Sequence, residues 1–222
     1  MCGRFALYFP DELLAEIFGL PELPGLIHRY NIAPTQAAAV VRSSGKTHKL
    51  DLLRWGLVPS WAKEISGGNR MINARNESLP DKPAFRNAVR FRRCVVPASG
   101  FYEWKPEGSH KVPYYIRLSD GAPMGFAGIW EAWKTHEGSF LETFAILTTS
   151  ANPLIATIHD RMPVILHPDA YALWLDKDVS NPKQLQSLYL PYPADLLTLH
   201  PVSTLVNSPR NDHPACIEPE PS

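Results

Sequence analysis

Residues 93–104 read RCVVPASGFYEW, a run of β-branched and aromatic side chains punctuated by Pro97, Ser99 and Gly100, and the run is strand-like. Downstream, VPYYIRL (112–118), MGFAGIWEAW (124–133) and TFAILTT (143–149) read the same way, separated by hairpin-length turns. Upstream, AAAVVR (37–42) and HKLDLLRWGLV (48–58) form a strand pair joined by a Ser-Ser-Gly-Lys turn. DELLAEIFGL (11–20) carries apolar residues at helical spacing behind an acidic first turn and ends at Gly19. KPAFRNAVRF (82–91), ANPLIATI (151–158) and DAYALWL (169–175) also read as helices, the last two around a strand in MPVILH (162–167). Hairpin-spaced strands without βαβ alternation predict an α+β fold: a single domain with a curved, mostly antiparallel, barrel-like sheet and short flanking helices.

The bulk numbers agree. The chain has 222 residues, 45% hydrophobic and 20% charged, enough to bury a sizeable core as one domain over 1–219, with a disordered tail at 220–222 inside the stretch IEPEPS. Its 22 prolines favour short strands and shaped loops over long helices. Cys2, Cys94 and Cys216 are odd in number and lack CxxC spacing, so neither a disulfide framework nor a zinc site is indicated, and a reducing compartment fits. The first residues lack a basic n-region, the apolar run breaks at Pro10, and no stretch approaches about 18 apolar residues. A cytoplasmic protein with no membrane partner is expected.

Formal net charge is zero, but it is unevenly spread. Between Arg70 and Arg93 lie seven basic and two acidic residues, whereas from Glu131 to the end there are five basic and eleven acidic. A local basic surface on a neutral protein suits a phosphate backbone; a solvated face with unpaired arginines explains it equally well.

The start, MCGRF, places Cys2 directly behind the initiator Met1. A frayed terminus explains such a cysteine without chemistry. If Met1 is removed, however, Cys2 carries an α-amine and a thiol with reference pKa values of about 8 and about 8.5, a pair that condenses with an aldehyde to an imine and then a thiazolidine. Other polar residues sit where strands or loops would otherwise be bland. Glu103, among aromatics in GFYEW, reads either as a proton-transferring carboxyl with a raised pKa or as a strand-edge residue facing water. His159 in IHDRMP is a general acid or a loop histidine satisfied by Asp160. Asn73 and Arg75 in INAR pair an uncharged donor–acceptor with a bidentate phosphate grip, or a turn asparagine with a surface arginine. In RWGLVPSWA, Trp55 reads as core and Trp61 as an exposed loop residue able to stack on or wedge between bases.

In order and wording, MCGRF, RYNIAPTQ, RWGLVPSWA, INARNES, RRCVVPASGFYEW, FAGIWE, IHDRMPVIL and HPVSTLVNSPRNDHPACIEP resemble the SRAP (SOS response-associated peptidase) family from Met1 to about Pro219. The resemblance implies a self-processing, DNA-damage protein that removes its own Met1, recognises abasic sites in single-stranded DNA and links Cys2 to the opened sugar as a thiazolidine. It implies catalytic positions at Cys2, Asn73, Glu103 and His159. It puts DNA contacts at Arg4, Arg75 and Arg161, loop wedges at Pro34 and Trp61, and a further contact at Thr148. Where some relatives carry paired tryptophans, Trp61 is here followed by Ala62. The implied protein is a monomer, needs no metal or organic cofactor, and joins the nucleoid when bound to DNA. Two other classes remain: an N-terminal-nucleophile thiol amidohydrolase and a non-covalent single-strand-binding module.

Overall fold

The run 93–104 forms two strands, parting at Ser99 and feeding two different sheets. A computed structural model describes residues 2–23, 25–45 and 47–220. In chain order the elements are β1 (Phe5–Leu7), α1 (Asp11–Phe18), β2 (Arg29–Ile32), β3 (Ala37–Ser44), β4 (Thr47–Trp55), β5 (Asn73–Arg75), α2 (Ala88–Phe91) and β6 (Arg93–Ala98). They continue with β7 (Gly100–Glu107), β8 (His110–Leu118), β9 (Met124–Lys134), β10 (Phe140–Ser150), β11 (Arg161–Pro163), β12 (Ile165–Leu166), α3 (Tyr171–Leu175) and β13 (Leu197–Pro201).

Strands β10, β4, β3, β6 and β9 pair in turn, and β9 pairs back with β10, so five strands close into a barrel. Every pairing in it is antiparallel except β10 with β4. Closure removes the exposed edges that an open sheet would leave. The antiparallel sheet β13-β8-β7-β1-β2 lies beside it. The fold is therefore α+β and a single domain, as expected. Ser99 is the seam: its N–H donates to Ala6 O at 2.7 Å and its hydroxyl accepts from Tyr8 N–H at 2.9 Å. Next to it a Cβ on Gly100 would stand 2.5 Å from the Tyr115 ring and from Ile116 O, so only glycine lets β7 and β8 approach.

Alternation along β7 assigns its faces. Phe101 packs into the main core with Phe5 and Phe126, whereas Tyr102 joins a second, smaller core with Ala6, Tyr115, Val202 and Val206. Glu103, two residues beyond Phe101, takes the inner face toward the barrel. The outer face is covered by residues 202–217.

Several helices are shorter than the sequence predicts. In 82–91 only Ala88–Phe91 is α-helical, because Pro83 interrupts and the apolar face amounts to Phe85, Ala88 and Val89. In 151–158 only the 3₁₀ turn Ile155–Thr157 forms, its first N–H taken by Asn152 Oδ1 at 2.9 Å. The C-terminal stretch is ordered as far as Glu220, whose N–H donates to Pro201 O at 3.0 Å. Pro221 and Ser222, the rest of the tail expected to be disordered, lie outside the described residues. No described helix is long and apolar enough to cross a membrane.

Candidate active site at the amino terminus

Antiparallel pairing of β1 with β7 sets Phe5 opposite Phe101, and Tyr102 N–H donates to Arg4 O at 3.0 Å, which draws residues 2–4 alongside Tyr102–Trp104. Strand β5 runs parallel to β10, with Asn73 opposite Ile146 and Arg75 opposite Thr148. Ala74 is buried between them, so Asn73 and Arg75 emerge on the other face. Asn73 Nδ2 donates to Cys2 O at 2.8 Å, and this bond joins the barrel to the terminus.

Cys2 is not frayed. Cys2 is fully buried, with its thiol donating to Arg4 O at 3.8 Å. Burial pushes the thiol well above its ordinary value, and the nearby Glu103 carboxylate pushes it further. Glu103 is 3% exposed, which rules out the water-facing reading. Burial raises its pKa, and the proximity of His159 partly offsets that rise. His159 is half-buried, and its Nδ1 lies 2.8 Å from Asp160 Oδ1 and 3.0 Å from the Arg161 N–H. One nitrogen serves these two partners alternately: unprotonated it accepts from Arg161, protonated it donates to Asp160. Cys2, Asn73, Glu103 and His159, scattered over 158 positions of sequence, thus converge.

The cationic residues differ in what binds them. Arg4 Nη1 donates to Asn31 Oδ1 and to Val206 O, both at 2.6 Å, and its guanidinium stands 5.8 Å from the Trp104 ring centroid. Its partners are neutral, its Nε has no hydrogen-bond partner among the described residues, and burial disfavours its charge. Arg75 is exposed. Arg161 holds Glu77 at 2.6 and 3.0 Å, and this guanidinium keeps the Glu77 carboxyl below the usual range. Thr148 is fully buried, and its carbonyl accepts from Arg161 at 2.7 Å, so it supports Arg161 from beneath.

Two braced loops carry the remaining candidate residues, Pro34 and Trp61. Pro34 is half-buried in a turn held by Thr35 N–H to Trp55 O at 2.8 Å and by Ala33 N–H to Gln36 Oε1 at 3.1 Å. Thr35 sits at φ 72°, a left-handed conformation costly for a β-branched residue. Trp61 is 66% exposed, whereas Trp55 is fully buried. Trp133 Nε1 donates to Ala62 O at 2.7 Å and so holds the loop that displays Trp61.

A family model described as SOS response associated peptidase (SRAP) matches residues 1–209. The chain belongs to the SRAP family. Among its SRAP relatives, the abasic site processing protein YoqW of Bacillus subtilis is 45% identical over 222 residues, covering 98% of this chain and 99% of that protein. The abasic site processing protein YedK of Escherichia coli is 33% identical over 227 residues, covering 99% of this chain and 100% of YedK. A solved structure from Bacteroides thetaiotaomicron superposes with a TM-score of 0.88 at 26% identity, over 99% of this chain and 100% of that one.

The structure adds residues to this SRAP site that sequence reasoning passed over. Asn31, fully buried, accepts from Arg4 and donates through Nδ2 to Ser208 O at 3.0 Å and Asn211 O at 2.6 Å. Asp212 accepts from Tyr30 N–H at 2.5 Å and Asn31 N–H at 2.9 Å and pairs with Arg29. The signal was present: both are polar residues inside quoted motifs, RYNIAPTQ and the C-terminal run. The basic stretch 70–93 is also less uniform than its charge count implies. Arg92 pairs with Glu131 at 2.7 Å, and buried Arg93 spends its donors on Val89, Arg90, Trp174 and Asp176 carbonyls at the ends of α2 and α3. Both are structural.

Proposed function

We propose that this protein recognises abasic sites in single-stranded DNA and joins itself to the opened sugar through Cys2 once Met1 is removed. The observation that carries the reading is the setting of Cys2, a buried terminus fixed by Asn73 at 2.8 Å beside a buried carboxyl and an imidazole. The names of its relatives, abasic site processing proteins, supply the substrate class.

Maturation is a hydrolysis: water is consumed, methionine leaves, and Cys2 gains an α-amine. Met1 itself lies outside the described residues. Asn73 Oδ1, buried and without a hydrogen-bond partner among the described residues, is the acceptor available to that amine. The amine attacks the C1′ aldehyde to give a carbinolamine. Glu103, its pKa raised by burial, protonates the departing hydroxyl, and water and a protonated imine result. The carboxylate so formed takes the proton of the Cys2 thiol, which burial otherwise retains, and the sulfur adds to the imine carbon. As the thiazolidine closes, its nitrogen keeps its own hydrogen and becomes neutral, and Glu103 ends protonated as it began. One water is lost overall, with no redox change and no metal or cofactor in any step.

His159 steadies the ring-opened sugar hydroxyl. Arg4, Arg75 and Arg161 take the flanking phosphates through charge-assisted hydrogen bonds. Pro34 and Trp61 part the neighbouring bases, and Thr148 backs Arg161. The protein acts as a monomer in the cytoplasm, on the nucleoid. Cys2→Ser tests the scheme: it keeps the amine but lacks the sulfur, so its adduct should appear only after borohydride trapping. A heat-stable Cys2→Ser crosslink at wild-type yield would overturn it.

A further inference from the structure

Arg86 and Arg90 belong to the basic stretch, yet neither is among the residues that converge on Cys2. Both are exposed and line a groove of about 520 Å³ whose far wall is Ser180, Asn181 and Pro182. Pro80, Asn181 and Pro182 are shared with a second groove of about 590 Å³. That second groove reaches Glu77 and Thr149, which adjoin Arg161 and Thr148. The two grooves therefore make one trough that starts at the phosphate-gripping arginines and ends at a second pair of arginines.

The walls of the nearer groove are apolar where the farther one is cationic. Leu190, 67% exposed, stands there with Pro80, Pro191 and Tyr189. Tyr189 is 8% exposed, and its hydroxyl has no hydrogen-bond partner among the described residues. Lys183 lines the same groove, so its place in the acidic C-terminal half does not remove it from the site's surroundings. Apolar walls for base faces, a buried hydroxyl lacking a partner, and guanidinium groups one step farther on are what a single nucleic-acid strand requires.

We infer that this trough is a subsite for the strand on one side of the abasic nucleotide, with one base against Leu190 and Pro191 and the next phosphates on Arg86 and Arg90. The inference rests on the proposed reaction only for the strand's starting point. Charge complementarity and continuity with Arg161 favour single-stranded nucleic acid over other occupants.

Two series of abasic oligonucleotides, one shortened stepwise on the 5′ side and one on the 3′ side, test it in single-turnover crosslinking with wild-type and Arg86→Gln/Arg90→Gln protein. In wild-type protein, extension by about six nucleotides on one side only should accelerate crosslinking at low concentration by about fivefold or more. The double variant should lose that gain and keep the wild-type rate on the shortest oligonucleotide. Its salt slope for undamaged poly(dT), read by fluorescence anisotropy, should fall by about one to two units. Tyr189→Phe should weaken poly(dT) binding more modestly, and Lys177→Gln, on a different groove, should change nothing. An unchanged length dependence and salt slope in the double variant would overturn the subsite. Tighter binding of a polyglutamate peptide than of poly(dT) would do the same. If no oligonucleotide crosslinks, the reaction scheme fails, and the anisotropy slopes still decide the trough.

Discussion

Cys2 and Cys94 are both fully buried free thiols, and burial pushes both well above the ordinary thiol range. What surrounds them differs. Cys94 sits mid-strand in the barrel wall opposite Gly128, where an added Cβ would come within 2.8 Å of its sulfur, and its carbonyl is capped by Trp174 Nε1 at 2.8 Å. Cys2 lies at the seam between barrel and sheet, beside a carboxyl, an amide and an imidazole. Burial alone therefore neither makes nor forbids a reactive sulfur. The proposed chemistry asks for a neighbour that can take the thiol proton, and of the two sulfurs Cys2 is the one beside a carboxyl, Glu103.

Exchanging the two sulfurs should give the largest effect. Cys2→Ser should abolish heat-stable crosslinking, whereas Cys94→Ser should retain it per folded molecule. Burying a hydroxyl in that wall should instead cost Cys94→Ser about 1–3 kcal/mol of stability, read as a lower Tm. Equal crosslinking losses in both variants would erase the distinction.

Removing the proton carrier sharpens the same contrast. Glu103→Gln should retain Met1 in part or in full. Supplied already matured, it should crosslink at least about tenfold more slowly, about 1.4 kcal/mol in barrier, while still binding DNA. The substitution also has a stability signature. Burial raises the folded-state pKa of Glu103 above its unfolded value, so between the two the folded protein holds a proton that the unfolded chain has released. Stability is lost as pH rises through that window and stays lower above it. Glu103→Gln should therefore melt higher than wild type near about pH 7.5, with the difference vanishing toward about pH 4. Normal maturation and an unchanged rate would move the acid–base role to His159.

The arginines repeat the lesson at smaller amplitude. Arg75→Gln or Arg161→Gln should flatten the salt dependence of single-strand binding by about one unit each. Arg93→Gln should lower Tm and leave that slope unchanged, because its donors are already committed to carbonyls. Smallest of all, Glu77→Gln frees Arg161 from its carboxylate and should tighten binding of undamaged single strands about two- to fivefold, at a stability cost of about 1 kcal/mol, since the Glu77 side chain is exposed although the Arg161 guanidinium is largely buried.

Much of this was legible in the sequence, for identifiable reasons. Strands announced themselves by β-branched and aromatic runs, and Gly19 ended α1 in the left-handed conformation where the helical spacing stopped. Trp55 and Trp61 separated correctly into core and surface because one lies in a strand pattern and the other beyond Pro59. The division of 93–104 at Ser99 was not legible, since its cause is a contact with Ala6 and Tyr8 far away in sequence. Barrel closure through β9 and β10 is likewise a long-range fact. Helix lengths were overestimated at 82–91 and 151–158, where local periodicity was outweighed by Pro83 and by the Asn152 cap. The structural duty of Arg92 and Arg93 was hidden because their partners, Glu131 and the α3 carbonyls, lie 39 or more positions away.

The central claim is that both the amine and the thiol of Cys2 enter the product. Intact-mass measurement of the protein after incubation with abasic single-stranded DNA, with and without borohydride, tests it directly. The predicted species has lost Met1, gained the oligonucleotide less one water, and keeps the same mass after borohydride because a closed thiazolidine has no imine to reduce. An adduct that retains Met1, or one that survives only as the borohydride-reduced form, would contradict the account.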